Sequence, residues 1–196
     1  MNAAHQVEHF QTRKEGTMRK RYAAIHDFFV SDYTMESMEW ETVIDVGCGP
    51  HGGVFMYRVW PRMIGIDPLW KEYARSGVIP PPYAMERVTG TFTDLGTDVK
   101  ADAVFCTDAL SYIPRPELFF MEVRRIMKPG GLLFIHCNLR GVKQLNEDHP
   151  HLHTALTFDE AIEMNFSRVK RQVLREDPFS GKAFMTYLAT ARNGKA

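Results

Sequence analysis

Residues 42–53 read TVIDVGCGPHGG, and this stretch decides the fold. Its first five residues are mostly apolar and β-branched, which predicts a buried strand. Gly47, Gly49 and Gly52 then follow in the spacing G-x-G-x-x-G, and the lack of side chains allows a sharp turn and a close approach by a ligand. Asp67 stands twenty positions after Gly47, where a carboxylate can accept hydrogen bonds from a ribose diol. The pattern therefore predicts a site for a nucleoside-containing cofactor.

Outward from this stretch, apolar strand segments alternate with helical segments. The predicted strands are residues 42–46, 63–67, 87–92, 102–106, 132–137, 168–175 and 184–191. The predicted helices are residues 69–76, 116–127 and 157–164, with a short helix between residues 52 and 60. Alternation of this kind predicts an α/β fold, a mainly parallel sheet with helices on both faces. Ligands of such sheets bind beyond the carboxyl ends of the strands, so functional residues are expected there.

The composition is that of one soluble globular domain. The chain has 196 residues, of which 44% are hydrophobic and 24% are charged. Lys plus Arg and Asp plus Glu both number 24, so an overall charge attraction to nucleic acid or to an anionic membrane is disfavoured. Three cysteines do not make a disulfide framework, and neither an apolar signal segment nor an apolar run of membrane length is found. We therefore predict a cytoplasmic protein with no membrane partner.

The first forty residues differ in character from the rest. They combine aromatic residues at helical spacing with a basic stretch that includes Arg13, Lys14 and Arg19. We predict that residues 1–40 form an N-terminal helical lid and that residues 41–196 form the cofactor-binding domain. The basic stretch also leaves open the hypothesis that the lid guides a nucleic-acid or protein substrate, which salt-dependent binding would reveal.

Two classes of cofactor compete for the glycine loop. A nicotinamide dinucleotide would place its diphosphate at the N-terminus of the following helix. A sulfonium cofactor carries no phosphate and is served by a carboxylate near its positive charges, a requirement that Asp45 meets. A negative charge beside a diphosphate has no evident use, and the chain is short for a separate substrate domain. The sulfonium cofactor is favoured, and an NAD(P)-dependent oxidoreductase is the alternative.

Five ordered segments resemble the motifs of class I S-adenosylmethionine-dependent methyltransferases, in particular the type 11 group. They are residues 45–50, 64–67, 90–95, 102–113 and 127–131, within a resemblance that covers residues 41–191. It implies a Rossmann-like seven-stranded sheet, mostly parallel with an antiparallel last strand, and S-adenosyl-L-methionine as cofactor. The implied reaction is methyl transfer by in-line displacement to a small-molecule or sugar-like acceptor. A non-catalytic methyltransferase-like binding module is a further alternative.

The resemblance also assigns roles to individual residues. Asp45 and the backbone of Gly47, Cys48 and Gly49 would hold the methionine moiety, with Gly52 completing the loop, and Asp67 would bind the ribose hydroxyls. The other implied contacts are Pro68 and Leu69 beside the adenine, Thr91 and Phe92 at the adenine edge, and Cys106 and Thr107 beneath the methionine moiety.

Three departures from the family pattern affect the catalytic residues. Glycine is common where His51 stands, an acid is common where Thr91 stands, and a Glu-His pair is common where Ser111-Tyr112 stand. The last departure removes the family's usual histidine from the mouth of the site. The catalytic candidates lie near strand ends or in the lid: Asp108, Tyr112, His136, Asn138 and His26. No metal is predicted, because the alternating histidines at 149, 151 and 153 flank a proline and have no second ligand cluster.

Overall fold

Strand β1 (Thr42–Val46) lies in the middle of the sheet and is buried along its whole length. The structure is a computed structural model that describes residues 7–8, 20, 39–78, 84–96, 98–137, 155–174 and 184–191. The further strands are β2 (Arg62–Asp67), β3 (Glu86–Thr89), β4 (Ala101–Thr107), β5 (Met127–Cys137), β6 (Phe166–Leu174) and β7 (Phe184–Ala191). The helices are α1 (Trp70–Arg75), α2 (Pro116–Ile126) and α3 (Ala155–Asn165), with short 3-10 helices at Gly53–Met56, Phe92–Asp94 and Leu110–Tyr112.

The seven strands form one sheet in the order β3-β2-β1-β4-β5-β7-β6. Neighbours from β3 to β5 pair in parallel, whereas β7 runs antiparallel to both β5 and β6. This topology confirms the predicted α/β fold with its antiparallel last strand. The order reverses between β1 and β4, and the crevice outside the carboxyl ends of the strands at such a point is where α/β proteins bind ligands.

Two hydrophobic layers cover the sheet. On one face, α2 and α3 pack Phe119, Phe120, Val123 and Ile162 against the sheet, and all four are fully buried. We call this the helical face. On the other face, Trp40, Phe55 and Trp60 pack around Phe105 and Phe134, whose rings stack at a centroid distance of 4.5 Å. We call this the aromatic face, and the 3-10 helix Gly53–Met56 and α1 belong to it.

The connection from β1 to β2 is shorter and tighter than the sequence indicated. In place of the short helix predicted between residues 52 and 60, there is only the 3-10 helix Gly53–Met56. Gly52 and Gly53 both have left-handed backbone angles, with φ of 82° and 52°, which an α-helix cannot contain. The chain then turns into β2 after Pro61.

Two predicted strand boundaries moved by three residues or more, and the others by two at most. Strand β3 ends at Thr89 and not at residue 92, because Thr91 and Asp94 form a capping box that begins the 3-10 helix Phe92–Asp94. Strand β5 begins at Met127, which pairs with Ala101, and pairing with β4 resumes at Leu132. The residues between them, which the sequence assigned to a turn before the strand, therefore form an irregularity within β5.

Little of the predicted lid falls within the described residues, which include positions 7, 8, 20, 39 and 40 of the first forty. Val7 is buried in a cluster with four other residues. Cys48 belongs to the glycine loop, Leu69 directly precedes α1, and Trp70 and Tyr73 lie in α1. Within the described ranges, no helix is both long enough and apolar enough to cross a membrane.

Candidate cofactor and acceptor site

Four buried polar side chains mark the carboxyl ends of four adjacent strands. They are Asp67 on β2, Asp45 on β1, Thr107 on β4 and His136 on β5, each no more than 5% exposed. Side chains alternate between the two faces along a strand, so these residues share the aromatic face with Val43, Met63, Phe105 and Phe134. The sheet therefore carries a polar row beside an apolar layer, at the end where the topology places a ligand.

The glycine loop is fixed by backbone hydrogen bonds to the neighbouring strand. Gly47 N–H donates to the carbonyl oxygen of Ile66 at 2.8 Å. Gly47 has a φ of 71°, and a Cβ on it would collide with the side chain of Ala109, which follows β4. Glycine at this position is therefore required both by the backbone angle and by the close packing of the loop against the β4 end.

Asp45 fastens the far end of the loop. Its Oδ2 accepts a hydrogen bond from Val54 N–H at 2.7 Å, and the residue is 1% exposed. A Cβ on Gly53 would overlap that same oxygen, so glycine is needed there too. Burial raises the pKa of Asp45 to about 8, against the lowering effect of the Val54 hydrogen bond and with a further raising effect from Asp67.

Asp67 holds the loop and the start of α1 together. Its Oδ2 accepts a hydrogen bond from Gly49 N–H and its Oδ1 accepts one from Leu69 N–H, both at 2.9 Å. A side-chain hydrogen bond from Tyr73 also reaches the carboxylate. Burial raises the pKa of Asp67 to about 6, although these hydrogen bonds favour the charged form. Asp67 is thus anchored at the position where the sequence places a ribose acceptor.

The cysteines near the site are inert packing residues. Cys48 is buried in the loop, and its Sγ lies 2.9 Å from where a Cβ on Gly65 would stand. Cys106 lies within the hydrophobic layer of the helical face, on the side of the sheet away from Asp45. Burial raises the pKa of both thiols, so neither is a thiolate at neutral pH. Thr107, one residue further, lies on the aromatic face with the polar row.

The segment after β3 is organised by its own side chains. Asp94 Oδ2 accepts hydrogen bonds from Thr91 N–H at 2.6 Å and from Thr91 Oγ1 at 3.1 Å. Phe92 packs edge-on against Phe119 of α2, with ring centroids 5.2 Å apart. The loop is tied to β2 by a 3.3 Å hydrogen bond from Gly90 N–H to the Asp67 carbonyl oxygen. Thr91 is therefore exposed beside the carboxyl end of β2, whereas the ring of Phe92 is engaged with the helical face.

The catalytic candidates are only partly brought together. His136 pairs with Thr107 in the sheet, and Asp108 N–H donates to the His136 carbonyl oxygen at 2.7 Å. Asp108 has a φ of 59°, the single left-handed angle of a non-glycine residue in the part of the chain that the structure describes. Tyr112 lies four residues further, in the 3-10 helix Leu110–Tyr112, and is half-buried. Asn138 and His26 lie outside the described residues, so their positions stay predictions.

The sequence did not single out Gly53 or Tyr73. Gly53 directly follows the motif glycine Gly52. The pair of glycines could have predicted two successive residues with left-handed backbone angles. Tyr73 lies six residues after Asp67, within α1, and no local pattern indicates its bond to the carboxylate. The described residues contain no group of three or more His, Cys, Asp or Glu side chains arranged for a metal ion, and residues 149–153 are not among them.

Comparisons with known proteins agree with this geometry. Residues 44–135 match the family model of the methyltransferase domain. The sterol 24-C-methyltransferase of Candida albicans is 25% identical over 181 residues, which are 87% of this chain and 48% of that protein. The ubiquinone biosynthesis O-methyltransferase of Pasteurella multocida is 29% identical over 117 residues, 52% of this chain and 48% of that protein. The chain thus spans about half the length of these curated relatives.

Solved structures share the fold. The N-methyltransferase NodS from Bradyrhizobium japonicum superposes with a TM-score of 0.68 at 12% identity, covering 92% of this chain and 99% of that one. A structure of NodS with S-adenosyl-L-homocysteine gives a TM-score of 0.64 at 14% identity, covering 88% of this chain and 86% of that one. The solved structures thus have the same fold as this chain, and residues 44–135 match a methyltransferase domain.

Proposed function

We propose that this chain transfers a methyl group from S-adenosylmethionine to a small-molecule acceptor, with sugar-like acceptors included. The observation that carries the proposal is the polar row at the carboxyl ends of β2, β1, β4 and β5, next to a glycine loop fastened by Asp45 and Asp67. The matched relatives act on different acceptors, since their names include a sterol and a ubiquinone precursor pathway, and NodS is an N-methyltransferase. They support a small acceptor without indicating which one.

The charges of the loop favour a cationic cofactor over a dinucleotide. Asp45 and Asp67 are buried, and no Lys or Arg of the described ranges forms an ion pair with either. A diphosphate would meet two acids, and the four-residue 3-10 helix after the loop offers no α-helix N-terminus to bind it. S-adenosylmethionine carries positive charge on its ammonium and sulfonium groups, so its charge matches the site. This argument disfavours the NAD(P)-dependent oxidoreductase.

The predicted cofactor contacts remain part of the proposal. We propose that Asp67 binds the ribose hydroxyls through the remaining lone pairs of its two oxygens, with Pro68 and Leu69 beside the adenine and Thr91 at its edge. The amide N–H groups of Gly47, Cys48 and Gly49 already donate within the chain. The loop therefore offers carbonyl oxygens to the methionine ammonium, which is a donor.

Two proposed contacts need a different form from the one first expected. Cys106 can contribute to the floor only through its backbone, because its side chain lies on the helical face. Phe92 borders the adenine site through its backbone and ring edge, because the ring packs on Phe119. Thr107, at 5% exposure on the aromatic face, keeps its proposed place beneath the methionine moiety.

The chemistry that the residues must supply is modest. When bound, S-adenosylmethionine provides an activated methyl group whose leaving sulfur becomes neutral. The chain has to hold the acceptor in line with that methyl group and exclude water, and positioning alone reaches effective molarities of about 10⁵ M or more. Asp108, Tyr112 and His136, at the ends of β4 and β5, are the described groups that would orient the acceptor or accept its proton.

We also propose that residues 1–40 act as the lid of this site. Val7, which is 7% exposed, packs with Cys48 and Leu69 and so lies at the glycine-loop end of the sheet. Tyr22 and His26 of this region lie outside the described residues, and their placement in the lid is part of the proposal.

Binding measurements test the function. Calorimetry should show that the protein binds S-adenosylmethionine and S-adenosylhomocysteine and does not bind NAD(H). Asp67→Asn should lower the affinity for both sulfur ligands roughly tenfold or more, because hydrogen bonds to a charged group contribute about 1.5–3 kcal/mol. Asp102→Asn is the matched control, since Asp102 is a carboxylate that binds backbone amides at the opposite end of the sheet.

The alternatives give distinct results. A protein that binds neither sulfur ligand would support the non-catalytic module and refute the proposal. Binding of NAD(H) in their place would support the oxidoreductase. If Asp67→Asn binds S-adenosylhomocysteine as tightly as the wild-type protein, the ribose contact is wrong although the function stands.

A further inference from the structure

Asp45 stands at the centre of the cofactor end of the sheet with one oxygen engaged and one open. Oδ2 is held by Val54 N–H at 2.7 Å, and among the described residues no donor reaches Oδ1. β1 lies between β2 and β4, and the strand order reverses at the β1–β4 pair. Asp45 therefore lies at the point of the sheet beside which ligands of α/β proteins bind.

The groups that face Asp45 give its negative charge no support. Asp67 of β2 and Cys48 of the glycine loop lie near it, and Cys106 of β4 interacts with it only electrostatically, from the helical face. The structure shows no ion pair to Asp45 within the described ranges, and the residue is 1% exposed. A buried carboxylate without a cation is costly to ionise, so the pKa near 8 has a structural cause.

If the proposed function holds, methyl transfer would remove one of the two positive charges of the ligand bound at this end of the sheet. The carbon–sulfur bond breaks with its electron pair staying on sulfur, a bond forms between the methyl carbon and the acceptor, and the acceptor's proton passes to water. S-adenosylmethionine would thereby lose its sulfonium charge, while the ammonium, which we assign to the carbonyl oxygens of the loop, stays charged in S-adenosylhomocysteine. The environment of Asp45 therefore differs in charge before and after the reaction.

We propose that Asp45 distinguishes cofactor from product by charge: it ionises when the sulfonium ligand binds and takes up a proton when the thioether remains. Ionised Asp45 attracts the sulfonium, which strengthens binding of S-adenosylmethionine. Protonated Asp45 gives the thioether no such attraction, so product leaves more readily. Asp45 is thus a specificity-determining residue for the state of the cofactor, and this inference rests on the proposed function.

Asp67 does not produce the same discrimination. Its proposed partners are the ribose hydroxyls, which are identical in S-adenosylmethionine and S-adenosylhomocysteine. Any pH dependence that Asp67 gives to binding is therefore common to both ligands and cancels from the ratio of their dissociation constants. The ratio therefore removes the contribution of Asp67, and the Asp45→Asn variant separates Asp45 from the remaining groups.

The test is calorimetry of both ligands between pH 6 and 9, in buffers of different ionisation enthalpy. Near pH 7, binding of S-adenosylmethionine should release about one proton, and binding of S-adenosylhomocysteine should release fewer. Because proton release on binding means that affinity rises with pH, the preference for S-adenosylmethionine should grow between pH 6 and 8, by up to about tenfold per pH unit. Above that range it should level off.

Two substitutions complete the experiment. Asp45→Asn keeps an acceptor for Val54 N–H and nearly the same volume, and it should make the preference independent of pH. Asp102→Asn changes a carboxylate at the other end of β4 and should leave the pH-dependent preference intact. Thermal unfolding of each variant checks that it is folded at the temperature of the titration.

Several outcomes would overturn the inference. Equal proton release with both ligands in the wild-type protein would show that Asp45 does not sense the sulfonium. A pH-dependent preference that persists in Asp45→Asn would assign the effect to another group. If Asp45→Asn does not fold, equal proton release in the wild-type protein still decides the question. A wild-type protein that binds neither ligand would refute the proposed function itself, which the other outcomes leave standing.

Discussion

At the scale of single residues, Gly53 leaves the space that the carboxylate of Asp45 occupies beside the loop. Its φ of 52° is left-handed, and an added Cβ would overlap Asp45 Oδ2. Gly77, after α1, is also left-handed with a φ of 71°, but nothing lies within 4 Å of an added Cβ there. Gly77→Ala should therefore cost only the backbone term of about 1–2 kcal/mol. Gly53→Ala should cost about 1–3 kcal/mol more and weaken cofactor binding, as measured by urea unfolding and calorimetry.

The two variants form a matched pair, because they share the backbone cost and differ in the collision. Equal losses of stability would mean that the loop moves aside at no cost. Unchanged affinity for S-adenosylhomocysteine in Gly53→Ala would mean that the Asp45–Val54 contact does not shape the binding site.

Residue identities at the site could be predicted from the sequence more readily than residue orientations. Asp67 was placed by its distance from Gly47 and its position at a strand end, and it lies there with its carboxylate on the loop. Asp45 was recognised as an acid near the cofactor, but its bond to Val54 joins residues across a turn whose path depends on two left-handed glycines. Strand alternation could have predicted that Cys106 and Thr107 lie on opposite faces of the sheet, because they are neighbours in β4.

At the scale of elements, Asp102 clamps β4 to the beginning of β1. Its Oδ2 accepts hydrogen bonds from Glu41 N–H and Thr42 N–H at 3.0 and 2.9 Å, and Lys128 Nζ lies 2.7 Å from its Oδ1. Asp102→Ala should lower the free energy of unfolding by about 1–3 kcal/mol, because two strand-end amides lose their acceptor. Lys128→Met should cost less than about 1 kcal/mol, since the lysine side chain is 37% exposed and its ion pair is screened.

Urea unfolding of the two variants measures this difference. A Lys128→Met protein as unstable as Asp102→Ala would show that the ion pair, and not the backbone hydrogen bonds, holds the two strands together. Binding of S-adenosylhomocysteine should be unchanged in both, because the clamp lies at the amino ends of the strands.

The strands were more predictable than the connections between them. β1 and β7 have the predicted bounds, because continuous apolar runs between turn residues define a strand locally. The connection after β1 was not predictable in detail, because Gly52, Gly53 and the carboxylate of Asp45 together replace an α-helix by one 3-10 turn. The start of β5 was missed because Met127 pairs with Ala101 across a non-local register that no window of sequence contains.

At the scale of the whole molecule, the two raised carboxyl pKa values make stability depend on pH. In the unfolded chain both groups titrate near 3.8, whereas in the folded protein the pKa of Asp67 is about 6 and that of Asp45 about 8. The folded state therefore holds protons that the unfolded state has lost, and stability falls as pH rises from about 4 to about 8. Each group changes the free energy of unfolding by up to about 1.4 kcal/mol per pH unit within its window.

Comparison of the wild-type protein with Asp45→Asn isolates one group from all other titrations. The wild-type protein should lose stability relative to the variant between pH 6 and 8, in urea unfolding without ligand. Saturating S-adenosylmethionine should reduce that relative loss, because the ligand favours ionised Asp45. A constant difference between the two proteins across this range would show that Asp45 has an ordinary pKa in the folded state.

The brevity of the connection between β1 and β2 has a consequence for how such a chain diverges. Residues 47–61 contain the glycine loop, donate the Val54 hydrogen bond to Asp45 and supply Phe55 and Trp60 to the aromatic face. A substitution in that stretch can change the glycine loop and the core packing together, so natural selection acts on both at once. Asp108 and His136, at the ends of β4 and β5, lie outside that stretch. On the proposed function, substitutions at these two positions can change the acceptor without changing residues 47–61.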